Sequence, residues 1–350
     1  MNRIKRRSTW IVLAGMLAWG LSGCGAGSQD HLPVAIELIE NFEYEEVLTT
    51  LDEALANGED KRQIARTRGI ALAGLMRYEE AVASYVEALS YSSMFASQMD
   101  YDINYYLADA YDKMGERQKA ISVYSDILAL MPDEMNAHFL RGRLYLLDGE
   151  FEKALTDFNR TVELEKNGYD LRIEIAGLLT EAGYKDEGLH YLQRFLADNE
   201  KKLNDYDKGR IYYYMGDYEN AKLALEKAKG NENERIILLL GKSYERLGDY
   251  NYATSVYKNY LVDHPEAAEI FNQLGLCKLK SGEYEEALSA FKSAGNAGNT
   301  AMERTVEFNL ITAYEYTGDF KQAAVLMEAY LKKYPDDEVA LREYEFLKTR

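Results

Sequence analysis

From residue 33 onward, small, apolar and polar positions return in one fixed order. Gly149-Glu150-Phe151-Glu152-Lys153-Ala154 is matched by Gly216-Asp217-Tyr218-Glu219-Asn220-Ala221, and again by Gly248-Asp249-Tyr250-Asn251-Tyr252-Ala253. Gly282-Glu283-Tyr284-Glu285-Glu286-Ala287 and Gly318-Asp319-Phe320-Lys321-Gln322-Ala323 follow, with weaker copies starting at Gly115 and Gly183. The gaps between these seven glycines are 34, 34, 33, 32, 34 and 36 residues, which identifies one supersecondary unit used repeatedly. Seven residues before each glycine stands a small residue, Ala108, Gly142, Ala176, Gly209, Gly241 or Gly275, with Ile311 the exception. Three residues further come Tyr111, Tyr145, Leu179, Tyr212, Tyr244 and Tyr314, with Lys278 breaking the column. Beyond the glycine an alanine (Gly188 in one unit) is followed four residues on by Tyr124, Phe158, Leu192, Leu225, Tyr257, Phe291 or Met327. Spacings of three, four and seven put these positions on one face of a helix. Each glycine ends a first helix, and Pro132, Pro265 and Pro335, each 17 residues after its glycine, stop a second one. The pattern predicts an all-α chain of helix-turn-helix units. In each, the small residue lets two helices approach and the residue three further on fills the space beside it. The unit carrying Lys278 then packs less well.

Two degenerate units precede these. Tyr78, Ala81, Tyr85 and Ala88 mark one, with Gly69 as its small residue; Tyr44, Val47, Leu51 and Ala54 mark the other, whose opening helix is expected from Pro33. A short insertion lies between Ser90 and Asp100. Each unit resembles a tetratricopeptide repeat, a helix-turn-helix of about 34 residues. The resemblance implies an α–α superhelix, a solenoid of about nine repeats closed by a C-terminal capping helix. The degenerate repeats occupy 33–100, seven regular repeats 101–336 and the cap 337–350. Much of the tyrosine excess, 29 in 350 residues, is then core packing.

The first thirty residues read as an address. Arg3, Lys5, Arg6 and Arg7 precede an apolar stretch from Trp10 to Leu21, too short for a membrane span of about 20 residues and of the right length for a signal-peptide core. It ends in Leu21-Ser22-Gly23-Cys24, which resembles a bacterial lipobox, the site read by signal peptidase II. The resemblance implies removal of residues 1–23 and acylation of Cys24, with 24–32 as a lipidated tether. Two acyl chains would hold the protein stably on a bilayer without spanning it. The expected location is extracytoplasmic: the outer leaflet of the cytoplasmic membrane in a one-membrane cell, or the outer membrane facing the periplasm in a two-membrane cell.

Charge and composition narrow the chemistry. The net charge is −18. Residues 1–23 carry four basic and no acidic side chains, so the mature chain stands at −22. Such a balance argues against nucleic acid as a partner. Two cysteines exclude a disulfide framework, and Cys277 reads as a small buried filler. His31, His138, His190 and His264 share no column and no i, i+4 spacing, so no metal site is expected. Gly241-Lys242-Ser243 has the tail of a phosphate loop, but Ile236 stands where that motif needs glycine. No cofactor and no enzymatic activity are expected.

What remains is a binding surface. In the family resembled, first helices line the concave face. By that resemblance Phe139, Arg143, Leu146, Tyr206, Arg210, Tyr213, Tyr214, Lys242 and Arg246 form an exposed groove across repeats four to seven. Phe139, Tyr206 and Tyr213 would give rigid apolar contacts, while Arg143 and Arg210 would pair acidic groups of a protein segment. The expected role is a membrane-anchored scaffold gathering other proteins of the cell envelope. The alternative is a glycan or peptidoglycan-fragment binder that stacks sugars on Tyr206, Tyr213 and Tyr214.

Overall fold

The structure, a computed structural model, describes residues 30–165, 169–231 and 233–350. The leader, Cys24 and most of the tether lie outside them. The described residues form nineteen α-helices in chain order. They are α1 (His31–Glu40), α2 (Tyr44–Ala56), α3 (Lys61–Gly74), α4 (Tyr78–Ser90), α5 (Gln98–Lys113), α6 (Arg117–Leu130), α7 (Met135–Leu147) and α8 (Phe151–Leu164). Then come α9 (Asp170–Glu181), α10 (Lys185–Asn199), α11 (Asp205–Met215), α12 (Tyr218–Ala228), α13 (Glu234–Arg246) and α14 (Tyr250–Asp263). The last are α15 (Ala268–Lys280), α16 (Tyr284–Asn296), α17 (Glu303–Tyr316), α18 (Phe320–Lys333) and α19 (Glu338–Leu347). The fold is all-α, an α–α superhelix of helix pairs in which odd-numbered helices through α17 are the first members. The chain divides into two compact units, one ending at Arg160 and one beginning at Thr161.

The joint inside each pair follows from two residues. Gly248 takes φ 81°, open to glycine without Cβ strain. It lets Gly248 N–H donate to Glu245 O at 3.1 Å and Asp249 N–H donate to Tyr244 O at 2.9 Å, which satisfies carbonyls at the end of α13. Asp249 then accepts from the Tyr252 backbone N–H at 3.2 Å and caps α14. Asp217 and Asp319 cap α12 and α18 in the same way.

The two degenerate pairs build this joint without glycine. Phe42 and Met76 hold φ 63° and 61°, with Glu43 N–H donating to Leu38 O and Arg77 N–H donating to Leu72 O at 2.9 Å each. Both side chains stand in solvent, 75% and 74% exposed. A left-handed conformation costs a non-glycine residue about 1–2 kcal/mol, and glycine returns about 0.5–1 kcal/mol of that through its freer unfolded chain. Phe42→Gly and Met76→Gly should therefore each raise stability by about 0.5–1 kcal/mol, additively, as read by urea unfolding. A loss in either variant would show that the exposed side chain holds packing together.

The approach of paired helices rests on a small residue and a bulky one sixteen positions later. A Cβ built on Gly241 would lie 2.2 Å from the Tyr257 ring, one on Gly275 2.5 Å from Phe291, and one on Gly209 2.5 Å from Leu225. Tyr257, Phe291 and Leu225 are fully buried. This corrects the expectation that Tyr111, Tyr145, Tyr212, Tyr244 and Tyr314 fill that space. Those tyrosines are half-buried, because the second-helix residue has already taken the volume. Lysines lie over four of them: Lys119 over Tyr111, Lys153 over Tyr145, Lys222 over Tyr244 and Lys292 over Tyr314. Lys278, in the same column, is buried, with its ammonium 2.5 Å from Glu283 and 3.0 Å from Glu286. It occupies its place by pairing, so the looser packing expected there has no support. Cys277 is fully buried, as a filler would be. The opening helix starts at His31, two residues before Pro33, because Glu59 accepts from the backbone N–H groups of His31 and Leu32 at 2.9 and 3.0 Å.

Candidate functional site

The nine groove residues divide between the two units: Phe139, Arg143 and Leu146 belong to the first, the other six to the second. On α7, Phe139 is only 3% exposed, with its ring centroid 6.2 Å from that of Phe158, and Leu146 is buried too. Both were expected to be exposed contacts. They are core, because the close pairing at Gly142 turns that side of α7 onto α8. Arg143 reaches back one repeat and meets Asp112 at 3.0 Å.

In the second unit, Arg210 on α11 reaches Asp170 on α9 at 2.6 Å, and its guanidinium lies over the rings of Tyr169 and Tyr206 at 5.2 and 5.5 Å. Two arginines assigned to a partner's acids are thus already neutralised by acids one repeat earlier. The tyrosines do not form an open platform either. Tyr206 and Tyr213 pack against the buried cluster around Ile236 and Tyr257. The edge or face of Tyr213 meets Tyr214 and Tyr218, each with centroids 5.5 Å away. Burial pushes the Tyr213 phenol upward, partly offset by Arg246. Tyr214, 51% exposed, and Arg246, exposed with its guanidinium 5.8 Å from the Tyr218 ring, keep free surface. Lys242 is half-buried.

Beneath this face sits a carboxylate. Glu245, at the end of α13, is buried. It accepts from Tyr257 Oη, Gln273 Nε2 and Lys280 Nζ, each at 2.8 Å. One donor comes from its own pair and two come from the next first helix, so α13, α14 and α15 share one charge.

The last repeat presents the same column differently. Phe308, Thr312, Glu315 and Tyr316 on α17, with Val339 and Glu343 on α19, line a hollow of about 370 Å³. The Glu315 Oε1 atom is removed from solvent and has no hydrogen-bond partner among the described residues. Burial first, and Glu343 second, push the Glu315 carboxyl up to about 7. A carboxyl raised above its ordinary value of 4.5 favours the folded state below pH ~4.5 and loses that favour as pH rises to about 7. Glu315→Gln should therefore raise the melting temperature at pH 8 and leave it nearly unchanged at pH 4.5. Equal melting shifts at both pH values would contradict the buried carboxylate.

Among the described residues, no three His, Cys, Asp or Glu side chains are placed to hold a metal ion, and no helix is long and apolar enough to cross a membrane.

Comparison with known sequences places this architecture. Profiles of the tetratricopeptide repeat match residues 105–168, 206–233, 238–299 and 306–337, together more than half of the chain. A BBSome complex member, bbs-4 of Caenorhabditis elegans, is 25% identical over 248 residues, covering 67% of this chain and 49% of its own. Hsp70-Hsp90 organizing protein 1 of Glycine max is 28% identical over 196 residues, 50% of this chain and 32% of its own. The chain spans about half or less of the length of these curated relatives. Among solved structures, a tetratricopeptide repeat protein from Parabacteroides merdae is similar over 81% of this chain and 97% of its own, at 18% identity and a TM-score of 0.44. YrrB, described as a tetratricopeptide-repeat protein with an unusual peptide-binding site, covers 54% of this chain and 97% of its own, at 21% identity and a TM-score of 0.36.

Proposed function

The chain belongs to the tetratricopeptide-repeat family, and we propose on that premise that it is a non-enzymatic scaffold binding other proteins through the exposed side of its first helices. Proteins of this family generally serve as platforms for protein–protein interaction. The observation that supports the reading is that the interhelical core is closed while polar and aromatic groups remain exposed on that side, among them Tyr214, Arg246 and Tyr316. Such mixed surface suits a protein segment with both apolar and charged side chains.

The finer reading concerns place. Cys24 is acylated, residues 1–23 are removed, and the scaffold hangs from a membrane outside the cytoplasm, where its partners are envelope proteins. The support is the basic stretch, the apolar stretch and the Leu21-Ser22-Gly23-Cys24 order. Two acyl chains suffice for stable anchoring, whereas a body at −22 gains nothing from anionic lipid.

A photo-crosslinking amino acid placed at Tyr214 or Arg246 should capture envelope proteins, whereas one at Leu223 or Tyr252, exposed on second helices, should capture few. Equal capture at both sets would defeat the assignment of the face. Separately, Cys24→Ala should move the protein from the membrane to the soluble fraction. Retention in the membrane would defeat the anchor while leaving the scaffold standing.

A further inference from the structure

The geometry points to the hollow between α17 and α19 as a receptor for an arginine or lysine side chain of a partner protein, held by Glu315 and Glu343 against the ring of Tyr316. This inference rests on the scaffold reading and adds where, and to what chemistry, the scaffold binds.

The argument is a comparison of the protein with itself. Glu245 and Glu315 occupy the same position, four residues after the small-residue column, in the seventh and ninth repeats. Glu245 has three donors: the Tyr257 hydroxyl 12 residues on, the Gln273 amide 28 residues on and the Lys280 ammonium 35 residues on. At the corresponding distances from Glu315 stand Met327, Glu343 and Arg350. A thioether replaces the hydroxyl and a second carboxylate replaces the amide. Arg350 lies over the rings of Phe346 and Phe320 at 4.7 and 5.8 Å, not on Glu315. Every donor that completes the buried acid in the seventh repeat is therefore missing in the ninth. What stands in their place is the 370 Å³ hollow lined by Glu315 and Glu343, with a Glu315 oxygen that has no hydrogen-bond partner among the described residues.

An entering cation fits on three counts. Glu315 and Glu343 both line the hollow, and neither has a protein cation within 4 Å among the described ion pairs; such pairs favour a charged donor. Phe308 and Tyr316 wall the hollow, and aromatic faces suit a guanidinium or ammonium. Tyr316 is held in place by stacking on Tyr284, centroids 5.0 Å apart and planes 26° from parallel. Lys280 on Glu245 is the internal precedent for the contact. A metal ion fits less well, because only two carboxylates are present, whereas calcium and magnesium take six or more oxygens and zinc about four ligands.

The test uses the full-length protein in detergent, with carbon-13 methyl labels reporting at Thr312 and Val339. The probe is a short acetylated and amidated peptide with one arginine flanked by glycines and serines. It is compared with the same peptide carrying citrulline, which keeps the shape and loses the charge. The arginine peptide should shift both methyl signals, with citrulline at least ~10-fold weaker. The Glu315→Gln, Glu343→Gln double variant should lose the response while its methyl signals in α13 and α15 stay in place. Equal response to citrulline, no response to arginine, a response undiminished in the double variant, or the same shifts from calcium alone would overturn the assignment. If it fails while crosslinkers at Tyr214 and Arg246 still capture partners, the scaffold reading survives and only this receptor is lost.

Discussion

Replacing Gly241 by alanine is expected to cost about 2–4 kcal/mol, although alanine is the better helix former by about 1 kcal/mol. The added Cβ would lie 2.2 Å from two ring carbons of Tyr257 and 2.5 Å from its hydroxyl oxygen. Tyr257 is fully buried, so its ring has nowhere to go. It is also tied at its far end, donating to Glu245 at 2.8 Å. Overpacking costs about 1–3 kcal/mol, and a strained or broken bond to a buried carboxylate about 1.5–3 kcal/mol more. Phe291 opposite Gly275 has no such tie, so Gly275→Ala should cost less. Gly142→Ala, whose Cβ would lie 3.0 Å from Phe158, should cost least. Urea unfolding of the three variants should rank them in that order. Amide exchange should show the loss of Gly241→Ala concentrated in α13 and α14, since repeat proteins open locally. A Gly241 variant as stable as the Gly142 one would refute the steric account.

The second large effect has opposite signs at two positions in one column. Glu245→Ala should destabilise by about 2–4 kcal/mol, because it strands the buried Tyr257 hydroxyl and Gln273 amide together. Little of that comes from Lys280, whose side chain is 55% exposed and whose pairing is screened by water. Glu315→Ala should be neutral or stabilising at pH 8, since no donor is lost and a carboxylate beside Glu343 is removed. Chemical unfolding of both variants at pH 8 decides the matter. Parallel losses would mean that Glu315 has a stabilising partner after all.

These contrasts mark how far the amino-acid order was readable. The glycine spacing is legible because each joint needs a residue at positive φ, and glycine takes that conformation freely. The first two joints escaped because Phe42 and Met76 adopt it at a cost, although each stands two residues before a tyrosine that opens a second helix, as Gly216 and Gly248 do. The burial of Phe139 could not be read from its column, since the same column holds half-buried Tyr206 two repeats later. Periodicity gives the face of a helix, not the depth at which a neighbour covers it. The pairing of Arg210 with Asp170 and of Arg143 with Asp112 crosses 40 and 31 residues, a register set by stacking and invisible to local spacing. Glu315, in the ninth repeat, lies outside the groove across repeats four to seven that the family resemblance implies. The signal was present in the substitution of Met327 and Glu343 for the donors of Glu245.

Steric matching in this chain is solved within single units. Gly241 and Tyr257, Gly275 and Phe291, and Gly209 and Leu225 each sit on the two helices of one pair. A duplication or loss of one whole module carries both halves of its fit along with it. Surface ion pairs such as Arg210 with Asp170 link different modules and would be left behind. Gain or loss of a module therefore keeps the steric fit inside each pair, while contacts that cross modules, the buried bond from Gln273 to Glu245 among them, have to be formed anew at each junction.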